Sequence, residues 1–116
     1  MYSKELLKGT LSTIILNLLK VNGEMYGYEI TQSVKLKSAG KIEIREGSLY
    51  PALHKMLADG LIKAREEQAG RRIRVYYSLT ESGINSLETR KEELFGFLET
   101  LIQILNPSYP ILPDAR

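Results

Sequence analysis

The chain has no cysteine, no tryptophan and a single histidine, His54, in 116 residues. Without thiols there is no disulfide framework, no cysteine-based zinc site and no thiol nucleophile, a composition that fits a reducing cytoplasm. One histidine cannot build a His-rich metal site, and no carboxylate is placed to orient His54 as half of a catalytic pair. No cofactor, metal centre or catalytic group is therefore expected. A long apolar run is also missing. The stretch from Leu6 to Leu19 is interrupted by Lys8, Thr10, Ser12, Thr13 and Asn17, short of a signal-peptide core and of the ~20 apolar residues of a membrane span. A cytoplasmic chain without membrane contact is expected. No internal repeat is visible, and the one proline-rich stretch is the last ten residues.

The two signs of charge nearly cancel, with sixteen Lys and Arg against fourteen Asp and Glu, net +2. Taken in two parts they do not. Residues 1–79 carry thirteen basic and eight acidic side chains, net +5, whereas residues 80–116 carry three and six, net −3. A basic body joined to an acidic C-terminal segment is a charge pattern suited to nucleic acid. With 43% hydrophobic and 26% charged residues the composition is globular, and a chain this short builds one core rather than two.

Periodicity gives the elements. Leu7, Leu11, Ile14, Ile15, Leu18 and Leu19 recur at helical spacing, predicting one helix from Ser3 to Lys20 that Asn22-Gly23 stops. A second helix is predicted from Tyr26 or Gly27 to Lys37, with Ile30 and Val34 inward. Lys41 to Ile44 alternates and reads as a short strand or an extended lead-in. Leu49, Leu53, Met56 and Leu57 share one face of a third helix over Glu46 to Asp59. Pro51 is read as a first-turn proline, and Gly60 as the left-handed residue that ends the helix. The period then drops to two. Ile73, Val75, Tyr77 and Leu79 alternate with Arg72, Arg74, Tyr76 and Ser78, a half-buried strand that pairs with Leu61 to Gln68 across a turn near Ala69-Gly70. Thr80 caps a last helix in which Ile84, Leu87, Leu94, Leu98, Leu101 and Leu105 follow a 3-4 spacing broken by Lys91. Phe95, Phe97, Ile102 and Ile104 fill its other sides, an apolar surplus that implies a partner chain. Asn106-Pro107 ends it.

This order is that of a winged helix-turn-helix with an added C-terminal helix, a mainly α fold with a small β-hairpin. Residues 1–79 form the DNA-binding part, 80–106 the dimerisation helix and 107–116 a tail. In such a fold the third helix enters the major groove and the hairpin, or wing, brings basic side chains to the backbone or minor groove. The helix N-terminus points N–H groups at phosphate, Ser48 and Tyr50 add hydroxyls, and the arginines release counterions.

Four stretches carry a more specific signal: Tyr26-Gly27-Tyr28-Glu29-Ile30, Gly47-Ser48-Leu49-Tyr50-Pro51-Ala52-Leu53, Leu57-Ala58-Asp59-Gly60-Leu61-Ile62, and Tyr76-Tyr77-Ser78-Leu79-Thr80-Glu81-Ser82-Gly83. In residues, order and spacing the sequence resembles the PadR family of bacterial and archaeal transcriptional regulators, in its smaller class with one C-terminal helix. The resemblance implies a homodimer, usually a repressor, on an inverted-repeat operator of double-stranded DNA, often released by a small aromatic or drug-like effector. Carried over by position, Ser48, Tyr50, Pro51, His54 and Lys55 read DNA, Tyr26 assists, and Arg71, Arg72 and Arg74 serve the wing. Leu87, Leu94, Phe95, Leu98, Leu101, Ile102 and Leu105 form the dimer interface. Some multidrug-binding relatives stack ligands on a tryptophan where this chain has Leu94, so a pocket of that kind does not carry over.

Each signal has a plainer alternative. The wing arginines also suit a solvated hairpin, and His54 an exposed surface residue. Of Tyr26 and Tyr28, which point to different sides of a helix, one is expected to be a packing residue. Lys91 either snorkels or pairs with Glu88 or Glu92. Pro107 to Pro113 reads as an arm packed on the body or as a free tail. A winged-helix interaction module and a small-molecule sensor remain the rival functions.

Overall fold

In the computed structural model, which describes residues 2–106 and Ser108, the elements run α1 (Lys4–Lys8), α2 (Leu11–Asn22), β1 (Met25–Tyr26), α3 (Gly27–Lys37), α4 (Glu46–Ala58), β2 (Ile62–Ala69), β3 (Arg72–Leu79) and α5 (Glu81–Leu105). The single N-terminal helix expected from the sequence is two. Both the N–H and the Oγ1 of Thr10 donate to the Leu7 carbonyl, at 3.0 and 3.1 Å, so the backbone turns at Gly9-Thr10 instead of continuing the i−4 ladder. α1 buries nothing against this chain. The core lies between the remaining helices. Ile15, Leu16 and Leu19 of α2 meet Ile30 of α3, Leu49, Leu53 and Met56 of α4, and Leu87 of α5, each almost wholly withdrawn from solvent.

Lys41 to Ile44 forms no strand. Ile44 is buried and Ile42 packs beside the core, which makes this segment the extended lead-in to α4. Since α4 starts at Glu46, Pro51 is its sixth residue, past the first turn where it was expected. Lacking an N–H, Pro51 leaves the Gly47 carbonyl without its i+4 donor on the outer surface of the helix. The far end follows the expectation. Gly60 takes φ +73°, the Leu61 N–H donates to the Met56 carbonyl at 2.9 Å, and the Gly60 N–H donates to that of Leu57 at 3.1 Å, a Schellman closure sealed by buried Leu61.

The hairpin follows the expected strands to within one residue. β2 and β3 run antiparallel from Ile62↔Leu79 to Ala69↔Arg72, leaving Gly70 and Arg71 as a two-residue turn with positive φ at the glycine. β1 has no counterpart among the elements expected from the sequence. Its Met25 and Tyr26 pair with Tyr77 and Tyr76 to give a three-stranded sheet in the order β1-β3-β2. Burial along β3 fades toward the tip: Tyr77 is buried, but Ile73 is 58% exposed because no helix lies behind the end of the wing.

One hydroxyl joins the end of α4 to the start of α5. Thr80 donates from Oγ1 to the Gly60 carbonyl at 2.6 Å and accepts there from the Gly83 N–H at 3.0 Å, while its own N–H donates to the Leu61 carbonyl at 3.1 Å. Lys20 Nζ bonds Glu88 at 2.8 Å on the neighbouring turn of α5. Beyond Leu87, α5 leaves the body. The radius of gyration of 16.7 Å exceeds the roughly 13 Å of a compact chain this size, as expected of a body with a projecting arm. The expectation for the proline-rich segment falls on residues outside those described.

Candidate nucleic-acid interface

The helical period divides α4 into two faces. Leu49, Leu53 and Met56 point into the core, which leaves Ser48, Pro51, His54 and Lys55 exposed on the opposite side. Lys55 carries only a loose i,i+4 ion pair, 3.5 Å to Asp59, and its side chain is 78% exposed, so its charge stays available. Tyr50 is placed between the faces. Its ring leans on the start of α3, where a Cβ on Gly27 would stand 2.6 Å from the Tyr50 hydroxyl, and 38% of the residue remains exposed. Absence of a side chain at Gly27 lets α3 and α4 approach this closely.

The wing supplies Arg71 in its turn and Arg72 and Arg74 on β3, all exposed. A groove of about 580 Å3 separates it from the helices, lined among others by Tyr26 and Tyr28 of the α3 start, Glu46 and Tyr50 of α4, and Arg72 and Arg74 of β3. The start of α4 and the wing therefore bound one groove. Of the two tyrosines at the start of α3, Tyr26 is the packed one and Tyr28 is 64% exposed.

Tyr26 belongs to a chain of contacts that sequence reasoning missed. Its ring meets Tyr76 edge-on at 5.4 Å and 72°, the Arg74 guanidinium lies 4.6 Å from the Tyr26 centroid, and that of Arg65 lies 4.7 Å from the Tyr76 centroid. Arg65 in turn donates from Nε and Nη2 to both oxygens of Glu24, each at 2.6 Å, and from Nη1 to Glu67 at 3.3 Å. Glu24 and Arg65 stand 41 residues apart, so no local pattern could have paired them. Arg74 is held more firmly in its charged form, chiefly by the Tyr76 hydroxyl and then by Tyr26.

The Arg65 hydrogen bonds hold the Glu24 carboxyl below its ordinary 4.5, and those of Lys20 do the same for Glu88. For a lowered carboxylate the sign is fixed. The stabilisation is complete above 4.5 and fades as pH falls through the lowered folded-state value. Glu24→Gln is expected to unfold in acid along a shallower profile than the parent, read by circular dichroism; identical profiles would show that the clamp does not contribute.

On α5 the continuous apolar surface starts at Leu94, two turns beyond Leu87. Phe95 and Phe97 are 59% exposed, Leu98, Ile102, Ile104 and Leu105 are also exposed, and Leu94 and Leu101 are half-buried. Leu87, expected at the dimer interface, is completely buried in the core of its own chain and presents nothing to a partner. Glu88, considered as a mate for Lys91, is taken by Lys20. Among the described residues there is no cluster suited to a metal ion, and no helix is long and apolar enough to cross a membrane.

Comparison with known proteins agrees with this arrangement. The family model described as "Transcriptional regulator PadR-like family" matches residues 15–89. The chain belongs to the PadR-like family of transcriptional regulators. The match runs from the first core residue of α2 through the recognition helix and wing into α5. Transcriptional regulator YqjI of Escherichia coli (strain K12) is 30% identical over 86 residues, covering 74% of this chain and 40% of that protein. The chain thus spans less than half the length of this relative. A transcriptional regulator from Clostridium thermocellum superposes with a TM-score of 0.77 at 30% identity, over 92% of this chain and all of that one. Bacillus subtilis PadR, solved in complex with operator DNA, superposes at 0.61 with 27% identity, over 91% of this chain and 52% of that one.

Proposed function

We propose that this PadR-like chain is a DNA-binding transcriptional repressor that grips an inverted-repeat operator as a homodimer. The observation that carries the reading is the groove that the start of α4, through Glu46 and Tyr50, shares with Arg72 and Arg74 of β3, with Ser48, Pro51, His54 and Lys55 exposed on the same helix. A protruding helix edged by basic side chains fits a major groove flanked by phosphates, and the operator-bound neighbour has the same fold. In this reading Ser48, Tyr50, Pro51, His54 and Lys55 meet bases and nearby phosphates, and Arg71, Arg72 and Arg74 meet the backbone.

The exposed part of α5 supplies the dimer contact, from Leu94 through Phe95, Leu98, Leu101 and Ile102 to Leu105. Its first two turns belong instead to the DNA-binding body, because Gly83 and Leu87 are buried there. Two recognition helices must reach successive major grooves ~34 Å apart. A small aromatic or drug-like effector would release DNA by changing that separation.

Titration of duplex DNA at several salt concentrations tests the proposal. Affinity is expected to fall linearly on a log–log plot, and the Arg71→Ala/Arg72→Ala variant should lower the slope by about 3.6 per dimer, near 0.9 for each of the four phosphates that its two wings no longer neutralise. Absent or salt-insensitive binding would favour a protein-interaction role for the fold.

A further inference from the structure

We propose that Tyr26 is a positioning residue rather than a DNA contact: with Tyr76 and the Glu24–Arg65 clamp it forms a ladder that fixes the wing and aims Arg74 at the phosphate backbone. The inference rests on the DNA-binding reading above and assigns its parts differently from the sequence, which placed Tyr26 on the DNA.

The ladder crosses the sheet from edge to edge. Glu24, at the end of the loop before β1, holds Arg65 of β2 by two hydrogen bonds of 2.6 Å. Arg65 lies over the Tyr76 ring at 4.7 Å, Tyr76 meets Tyr26 edge-on, and Tyr26 carries Arg74 at 4.6 Å. All three strands take part, and the register requires it. Arg65 pairs with Tyr76, and Tyr76 pairs with Tyr26 on its other side, so these three side chains share one face of the sheet. Arg74, two residues from Tyr76 on β3, returns to the same face and reaches the outer side of the Tyr26 ring.

Two consequences distinguish the wing's cations. Arg65 has both its charge and its fork of donors engaged by Glu24 and Glu67, so it adds nothing to counterion release. Arg74 is held by a ring face, which attracts a cation but accepts none of its N–H groups through a carboxylate. The guanidinium is thereby oriented, and the donors that the Tyr76 hydroxyl does not engage remain available to phosphate. A long side chain fixed in advance loses less rotamer freedom on binding.

The test uses the full chain, a mixed-sequence duplex of ~30 base pairs, about three helical turns, and a series of salt concentrations. Arg74→Ala should reduce the slope by about two per dimer, near one for each wing, and Arg65→Ala should leave it unchanged while weakening binding. Tyr26→Phe keeps the ring and should bind as the parent does. Tyr26→Leu should bind about threefold more weakly, the scale of an exposed cation–π contact. The Tyr26→Leu/Arg74→Ala double variant should be no weaker than Arg74→Ala alone.

Additive losses, or a Tyr26→Phe variant as weak as Tyr26→Leu, would overturn the assignment by making Tyr26 a contact in its own right. So would a slope reduced by about two in Arg65→Ala, one for each wing. A readout free of DNA separates this from failure of the functional reading. In the unbound protein the Arg74 side-chain protons should show an upfield ring-current shift that Tyr26→Leu abolishes and Tyr26→Phe keeps. Their absence would remove the ladder whether or not the chain binds DNA.

Discussion

Replacing Leu98 with glutamate is expected to give a folded monomer whose affinity for operator-length DNA is lower by two orders of magnitude or more. Leu98 is 42% exposed in one chain and lies outside the buried core, so the change leaves the DNA-binding body intact. In a dimer it would place a carboxylate in an apolar seam among Leu94, Phe95 and Ile102, and a second carboxylate from the symmetry-related copy close by, with no partner for either. Each half-site is then bound separately. The loss of effective concentration that linkage supplies is about 10²–10⁴. Sedimentation gives the mass and a salt-matched titration gives the affinity. A Leu98→Glu protein that remains dimeric would place the interface elsewhere.

The second large effect is expected at Gly83. A Cβ built there would overlap the Leu61 carbonyl, which is backbone and also accepts the Thr80 N–H, and would lie 3.1 Å from Leu79 Cδ2. Gly83→Ala should therefore force α5 away from the end of α4 and destabilise the chain by about 3 kcal/mol, the upper part of the overpacking range, which lowers the melting temperature by roughly 10 °C. The same substitution at Gly96, in the same helix, should have the opposite sign. Nothing lies within 4 Å of a Cβ there, so Gly96→Ala keeps only the gain in helix propensity, about 1 kcal/mol. Equal melting temperatures for the two variants would show that the α4–α5 junction relaxes freely. It would then transmit little between the arm and the recognition helix.

Much of this architecture is legible in one sequence because it is local. The α4 face made by Leu49, Leu53 and Met56, the Gly60 terminus, the span of β3 and the Thr80 cap each follow from a few neighbouring residues, and the structure has them all, though burial in β3 does not alternate through its tip. The departures come from contacts between distant residues. Leu87 and Leu94 look alike in the α5 repeat, yet α2 and the rest of the core cover the first and leave the second half-exposed. Tyr26 reads as the start of a helix, whereas pairing with Tyr76 also makes it a strand residue.

Hydrophobic period, charge distribution and composition are properties of the chain, and they suffice for the winged helix-turn-helix, the basic body with its acidic arm, and the absence of thiol chemistry. They do not say which basic side chains of the wing are engaged by carboxylates, which tyrosine packs, or where the body stops and the arm begins. Those depend on what a side chain meets across 41 residues, as Arg65 meets Glu24, and such a meeting is a property of the packing rather than of either segment.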